Sequence, residues 1–163
     1  MVDSHSGYDG PGYVGLAGGR IVASGPVLDK ASSESLGAHQ HLEYPGGVLL
    51  PGLVDLHAHP AVEDSKYGMD PDVHMLPRGT TTVLSQGDAG ANNWPRYRER
   101  VIDNVKTRVR LALNLAASGE SNLGHSLGSV EEADVDACVE AIRSGGPLIW
   151  GVAINVAEAA CGR

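Results

Sequence analysis

Two histidines separated by one residue stand at the end of an apolar run in the first half of the sequence. The run begins at Val48 and ends in the residues DLHAH, in which the histidines are His57 and His59. Successive side chains of a strand point to opposite faces, so a strand here would place Asp55, His57 and His59 on one face. Imidazole is the commonest protein ligand of divalent transition metals. The spacing therefore predicts that the two histidines grip one metal ion.

A His-x-His sequence can also be a chance pair on the surface, and the neighbouring residues decide between the two interpretations. His57 and His59 close an apolar strand that Pro60 ends. The carboxyl end of a parallel strand is where barrel enzymes place their chemistry. A second pair, His39 and His41, has polar neighbours and precedes a strand, so it is predicted to be surface loop.

Three further polar residues are predicted near the same edge because they follow or end later strands. Gln86 and Asp88 come after an apolar strand at residues 79–85, and Asn114 lies near the end of a strand at residues 109–116. All three are expected at the mouth of the pocket, facing substrate. Asp55 has two open interpretations: it accepts the other ring N–H of His57 and orients it, or it is a buried polar group satisfied by backbone.

The chain alternates between strand and helix patterns after residue 48. Strands are predicted at residues 48–60, 79–85, 109–116 and 148–156. Helices are predicted from Asp70-Pro71, from Asn93-Trp94-Pro95, and after a Ser129–Glu132 capping box. Alternation of this kind indicates parallel strands joined by crossover helices.

The segment before residue 48 has a different pattern. Residues 13–28 predict a β-hairpin that turns at Gly18-Gly19, since glycine accepts the positive φ of such turns. Residues 1–12 are predicted to be loop, and residues 29–41 a polar connector.

Composition restricts the partners and the compartment. The 163 residues carry a net charge of -8, and an acidic surface repels nucleic acid and anionic membranes. No apolar run approaches the roughly 20 residues of a membrane span, and the N-terminus lacks the pattern of a secretory signal. Cys138 and Cys161 form no disulfide framework, and Cys138 lies on an apolar helix stripe as a packing residue. A cytoplasmic protein is expected.

The motifs resemble those of a known family. PGLVDLHAH resembles the first-strand signature of the amidohydrolase superfamily, and GTTTVLSQGDAG resembles its second strand. The resemblance extends from Val14 to Asn155 and is nearest to the branch of dihydroorotase-like deacetylases and acyl-amino-acid deacylases. It implies an α/β fold in which residues 48–163 form the N-terminal half of a (β/α)8 TIM-type barrel. Residues 1–47 would form part of a small β-sandwich.

The resemblance also implies a reaction. A divalent metal ion, most often zinc, would activate water to hydrolyse a carbon–nitrogen (non-peptide amide) or ester bond of a small acylated substrate. His57 and His59 would be ligands of one or two ions, and the general-base aspartate is expected beyond residue 163. Ala153 stands where close relatives carry a carboxylated lysine that bridges two metals, which favours one ion or another bridging ligand.

Because a complete barrel needs roughly 250 residues, the isolated chain is expected to bind metal weakly and to lack hydrolase activity. Its expected partners are a small-molecule substrate and, to complete the barrel, a second copy or a complementary chain. The alternative is a non-catalytic fragment or scaffold that keeps the fold signature without a complete active site.

Overall fold

A computed structural model describes residues 1–3, 5–26, 30–35, 37–62, 65, 67–121 and 126–158. The chain divides into two compact units, Met1–Pro51 and Gly52–Arg163. The sequence predicted a division between residues 47 and 48, four residues earlier. Within the described ranges, no helix combines the length and apolar composition needed to cross a membrane.

In its described residues, the first unit contains two antiparallel strand pairs and one short helix. Its elements are β1 (Val2–Asp3), β2 (Tyr8–Asp9), β3 (Tyr13–Ala17), β4 (Arg20–Gly25) and α1 (Lys30–Ser35). β1 pairs with β2, and β3 pairs with β4. The β3–β4 turn is formed by Gly18 and Gly19, whose φ angles of 57° and 72° lie in the left-handed region that favours glycine. The predicted hairpin and its turn are confirmed.

Two predictions for the first unit are wrong. Residues 1–12 were predicted to be loop but contain β1 and β2. A 2.6 Å hydrogen bond from the Met1 amine to the Gly10 carbonyl lies next to this strand pair. The predicted connector at residues 29–41 contains α1. The strands have two residues each and the helix has six. Segments this short show no hydrophobic periodicity by which the sequence could indicate them.

The second unit is built on a four-stranded parallel sheet in the order β5-β6-β7-β8. The strands are β5 (Leu53–Ala58), β6 (Thr80–Gly90), β7 (Arg108–Asn114) and β8 (Ile149–Ala153). Each strand neighbours the next in the chain, as successive β/α units require. The predicted alternation and parallel pairing are confirmed.

Short helices join these strands. They are α2 (Pro71–His74), α3 (Trp94–Tyr97), which a π-helical turn (Arg98–Ile102) continues, and α4 (Val135–Gly145); 3-10 turns lie at Leu76–Arg78, Gly119–Ser121, Val130–Glu132 and Gly146–Leu148. Asp70 caps α2 as predicted, accepting from the backbone N–H groups of Asp72 and Val73. The Ser129–Glu132 capping box is also present, but it begins only a 3-10 turn. Asp134 caps α4 instead, accepting from Ala137 N–H at 2.9 Å.

The core of the second unit lies between the sheet and helices α3 and α4. Its buried residues are Ala61, Ala89, Trp94, Tyr97, Val101, Val109, Leu111, Leu113, Cys138, Ala141 and Ile149. Alternate residues of β7 therefore face the helices, which is the helix-on-sheet packing of an α/β layer. Cys138 is a packing residue, as predicted. Burial, with the charge of Asp134, raises the pKa of its thiol and keeps it in the unreactive protonated form.

A close approach at the end of β6 requires glycine. A Cβ added to Gly90 would lie 2.0 Å from the Ala116 carbonyl oxygen and 2.6 Å from the Ala117 carbonyl carbon. Both are backbone atoms that cannot rotate away. We expect Gly90→Ala to lower the free energy of unfolding of the whole chain by about 1–3 kcal/mol, as overpacking does.

The matched control for this prediction is Gly151→Ala in β8, where an added Cβ meets no atom within 4 Å. Chemical denaturation of the two variants and the wild type measures the difference. Equal unfolding free energies for Gly90→Ala and Gly151→Ala would contradict the close approach.

Asp72 joins α2 to the segment that enters β7. Its carboxylate accepts from Lys106 N–H at 2.7 Å, from Thr107 N–H at 2.8 Å and from the Thr107 hydroxyl at 2.7 Å. Burial by itself would raise the pKa of Asp72, but these bonds and the Lys106 charge outweigh it, and the pKa is lowered. A carboxyl whose pKa is lowered by folding stabilises the fold above its unfolded-state pKa.

We expect Asp72→Asn to lower the unfolding free energy by about 1–2 kcal/mol at neutral pH. The difference from wild type should shrink as pH falls through the lowered pKa of Asp72. Asp103→Asn, which removes an exposed ion pair with Arg98, should cost about 0.5 kcal/mol or less. Thermal unfolding across pH 2–7 tests this, and a wild-type advantage that grows on acidification contradicts it.

Candidate metal centre

The carboxyl ends of the parallel strands border a cleft of about 450 Å³. It is lined by His57, His59, Tyr67, Gln86, Asn114, Glu120, Ala153, Ile154, Asn155, Val156 and Ala157. These residues lie near or beyond the carboxyl ends of all four strands. The cleft is therefore assembled by the parallel register, which brings corresponding strand ends to one edge.

His57 and His59 lie side by side in this cleft. Their ring centroids are 5.9 Å apart, and the ring planes meet at 76°. His57 is exposed, whereas the His59 side chain retains 20% of its exposure. The structure thus places both imidazoles next to each other in the cleft at the tip of β5, and their binding of one metal ion stays a prediction.

Asp55 does not share that position. In the β5–β6 register Asp55 is opposite Val83 and Ala58 is opposite Ser85, so two residues, Leu56 and His57, face the single residue Leu84. This bulge interrupts the alternation on which the prediction relied. The Asp55 carboxylate accepts from the backbone N–H of His57 at 2.9 Å. Asp55 thus makes the backbone contact of the second interpretation, although it is only half-buried, and a role in orienting His57 stays a prediction.

Asp88 also differs from its prediction. It was expected at the pocket mouth beside Gln86, but it is fully buried and is absent from the cleft lining. Its Oδ1 lies 2.6 Å from His59 Nδ1, and its Oδ2 accepts from the Ser85 hydroxyl at 2.7 Å. The carboxylate therefore contacts the side of His59 that faces the protein and cannot reach a substrate.

The displacement of Asp88 follows from a bulge in β6. The sequence predicted that this strand ends at residue 85, but it continues to Gly90. Gln86 pairs with Ala112 and Gly90 with Asn114, so four steps along β6 match two along β7. Gly87, with φ 76°, takes the left-handed conformation that the bulge needs. Asp88 is thereby turned away from the face that Gln86 occupies.

Gln86 and Asn114 line the cleft as predicted, but their side chains also brace its walls. Gln86 Nε2 donates to the Leu56 carbonyl at 2.8 Å, joining β6 to β5. Asn114 Nδ2 donates to the Gly87 carbonyl at 3.1 Å, and its Oδ1 accepts from Ala116 N–H at 2.9 Å. Both amides hold neighbouring strand ends in register, and contact with substrate remains a prediction.

Sequence reasoning missed Glu120 and Tyr67. Glu120 is 4% exposed, and its Oε1 lies 3.4 Å from Asn155 Nδ2 across the cleft. The sequence could have indicated Glu120, because it is a carboxylate six residues after the end of β7. The Tyr67 ring lies 5.3 Å from the His59 ring. Tyr67 belongs to an irregular loop, and nothing in the local sequence indicates that the loop returns to the strand tip.

The other histidines in the described part of the chain do not line the cleft. His74 is exposed at the end of α2, and His41 lies in the first unit beside Glu43. His125 and Cys161 lie outside the described residues. Among the described residues, no group of three or more His, Cys, Asp and Glu side chains is arranged to hold a metal ion. Ala153 lines the cleft, so the position predicted to differ from close relatives does face the site.

The chain is similar to curated bacterial hydrolases. It is 27% identical over 146 residues to a deacetylase of Agrobacterium fabrum, in a match covering 88% of this chain and 35% of that protein. It is 28% identical over 141 residues to a dihydroorotase of Anaplasma phagocytophilum, covering 85% of this chain and 29% of the relative. The chain thus spans about a third of the length of these relatives. No protein-family model matches it.

Solved structures show the same architecture. A dihydroorotase crystal structure superposes with a TM-score of 0.65 at 27% identity, covering 69% of this chain and 36% of that one. An adenine deaminase crystal structure superposes with a TM-score of 0.74 over 87% of this chain and 37% of the other; at 22% identity it shows the fold alone. With the parallel order β5-β6-β7-β8, these likenesses identify the second unit as part of an α/β barrel.

Proposed function

Because the chain is a member of the amidohydrolase superfamily, we propose that it supplies the first four β/α units of a metal-dependent hydrolase. The reaction would cleave a carbon–nitrogen (non-peptide amide) or ester bond of a small acylated substrate. The observation that carries the proposal is the pair of adjacent imidazoles, His57 and His59, in the cleft at the carboxyl ends of the strands.

The geometry of the two rings fits a shared metal ion. Nitrogen ligands lie about 2.0–2.1 Å from zinc, which puts the centroids of two imidazoles on one tetrahedral ion about 5.2 Å apart. The observed 5.9 Å is about 0.7 Å longer, so the two rings lie close to this separation. His59 would coordinate through Nε2, since its Nδ1 already faces Asp88. When bound, the ion would lower the pKa of a coordinated water and polarise the scissile carbonyl.

The remaining cleft residues are suited to orienting a polar substrate. Gln86 and Asn114 present amides at the ends of β6 and β7, and Glu120 and Asn155 present a carboxylate and an amide from the loops beyond. Tyr67 covers one side of His59. Together they would hold an acylated acid or amide beside the two imidazoles, where its carbonyl is to be attacked.

The proposed hydrolysis needs more β/α units than the four that this chain supplies. Zinc sites use at least three protein ligands, and His57 and His59 supply two. The edge strands β5 and β8 carry exposed apolar side chains, including Leu56 and Val152, as strands do where further β/α units are to pack. A complementary chain, or a longer form of this one, would supply those units, the remaining ligands and the general base.

Zinc binding to the 163-residue chain tests the metal site. We expect weak binding that falls at least tenfold in His57→Ala and in His59→Ala, because each substitution removes one of two ligands. His74→Ala, which removes an exposed histidine outside the cleft, should bind like wild type. Competition with a chromophoric chelator measures the affinities. Equal binding by all four proteins would refute a metal site at the pair.

A hydrolysis assay separates the proposed enzyme from a scaffold without a complete site. The zinc-loaded chain alone is expected to release no acid from N-acetyl amino acids above a zinc blank, because its ligand set is incomplete. Adding a chain that carries the remaining β/α units of a relative should restore release. If the fold reassembles and binds zinc but no acylated substrate is cleaved, the scaffold interpretation is favoured.

A further inference from the structure

A buried carboxylate lies against the inner edge of one of the two cleft histidines. Asp88 is fully buried, with Oδ1 2.6 Å from His59 Nδ1 and Oδ2 accepting from the Ser85 hydroxyl at 2.7 Å. Ser85 is fully buried as well. Burying a carboxylate is costly unless its oxygens are paired, and here each oxygen has a separate partner.

The backbone around Asp88 fixes the place of this carboxylate. Gly87 forms the bulge before it, and the backbone after it packs against Gly119, whose added Cβ would lie 2.6 Å from the Asp88 carbonyl oxygen. Asn93 also joins the end of β6 to the segment that follows β7: its side chain accepts from Gly90 N–H at 2.9 Å and donates to the Ser118 carbonyl at 3.0 Å. The backbone on both sides of Asp88 is therefore fixed in place by close contacts and hydrogen bonds.

The chemistry of this contact selects one form of the imidazole. An ionised carboxylate only accepts hydrogen bonds, so the proton of a neutral His59 ring must reside on Nδ1. The lone pair then resides on Nε2, which is the nitrogen available to a metal. A histidine ligand whose other N–H is held by a carboxylate has a fixed tautomer, a fixed ring orientation and a more basic ligating nitrogen.

We infer that Asp88 is the positioning residue of this site: it holds His59 as the Nδ1–H tautomer so that Nε2 is presented to a divalent cation in the cleft. The inference rests on the proposed metal site and gives Asp88 a role other than the substrate contact that the sequence predicted for it. The carboxylate of Asp55, two residues before His57, accepts a hydrogen bond from the His57 backbone N–H. Because the Asp55 carboxylate lies near the same histidines but is paired with backbone, Asp55→Asn is the control variant.

Asp88→Asn is the test variant because it keeps the shape of the side chain and removes its acceptor-only character. An amide either donates or accepts, so it no longer selects one tautomer; loss of the aspartate in a Ser-His-Asp triad acts in this way. In the metal-free 163-residue chain at pH 8, nitrogen-15 NMR of the imidazoles should show His59 as the Nδ1–H tautomer in wild type and Asp55→Asn. In Asp88→Asn it should show a mixture of tautomers.

Zinc affinity is the second measurement, taken on the same proteins by chelator competition. Asp88→Asn should bind about 10–100-fold more weakly than wild type, the usual loss when such a partner is removed, and Asp55→Asn should bind within threefold. A wild-type His59 that carries its proton on Nε2 overturns the inference even if Asp88→Asn fails to fold. So does an Asp88→Asn protein with wild-type affinity, or one with weaker affinity and an unchanged tautomer.

The same experiment distinguishes this inference from the proposed function. If His59→Ala loses zinc binding while Asp88→Asn retains it, the metal site stands and the role of Asp88 is refuted. If none of His57→Ala, His59→Ala and Asp88→Asn changes zinc affinity, the metal site itself is refuted.

Discussion

The parallel hydrogen bonding of β5 to β6, β6 to β7 and β7 to β8 is the constraint on which the cleft depends. Parallel strands run in one direction, so residues distant in sequence reach the same edge of the sheet at their carboxyl ends. His59, Gln86, Asn114 and Asn155 meet there although they span almost a hundred residues. Packing of α3 and α4 against one face of β7 holds the sheet in this arrangement.

Departures from regular pairing give the site its detail. A bulge in β5 separates Asp55 from the histidine face, and a bulge at Gly87 turns Asp88 beneath His59. Each bulge changes the side-chain alternation by an amount that local sequence does not reveal. As a result, Asp55 accepts from backbone, and Asp88, which was expected at the pocket mouth, contacts the His59 imidazole.

Burial in the second unit is uneven, and the unevenness follows the sheet order. The central strands β6 and β7 bury Val83, Leu111 and Leu113 completely, whereas the edge strands β5 and β8 expose Leu56, Val152 and others. A strand flanked on both sides can be covered by helices, and an edge strand lacks one neighbour with its crossover helix. The buried apolar contacts that stabilise the second unit are therefore concentrated around β6 and β7.

The sequence by itself determined the alternating parallel fold, the hairpin at Gly18-Gly19, the cap at Asp70 and the adjacency of His57 and His59. These features depend on local periodicity, on glycine and proline conformations, and on the single residue that separates His57 from His59. Only the tertiary structure decided which carboxylate contacts His59, that Glu120 and Tyr67 border the cleft, and that β6 extends to Gly90. Those depend on strand register and on contacts between residues far apart in the chain, such as the 29 positions between His59 and Asp88, and no local pattern encodes them.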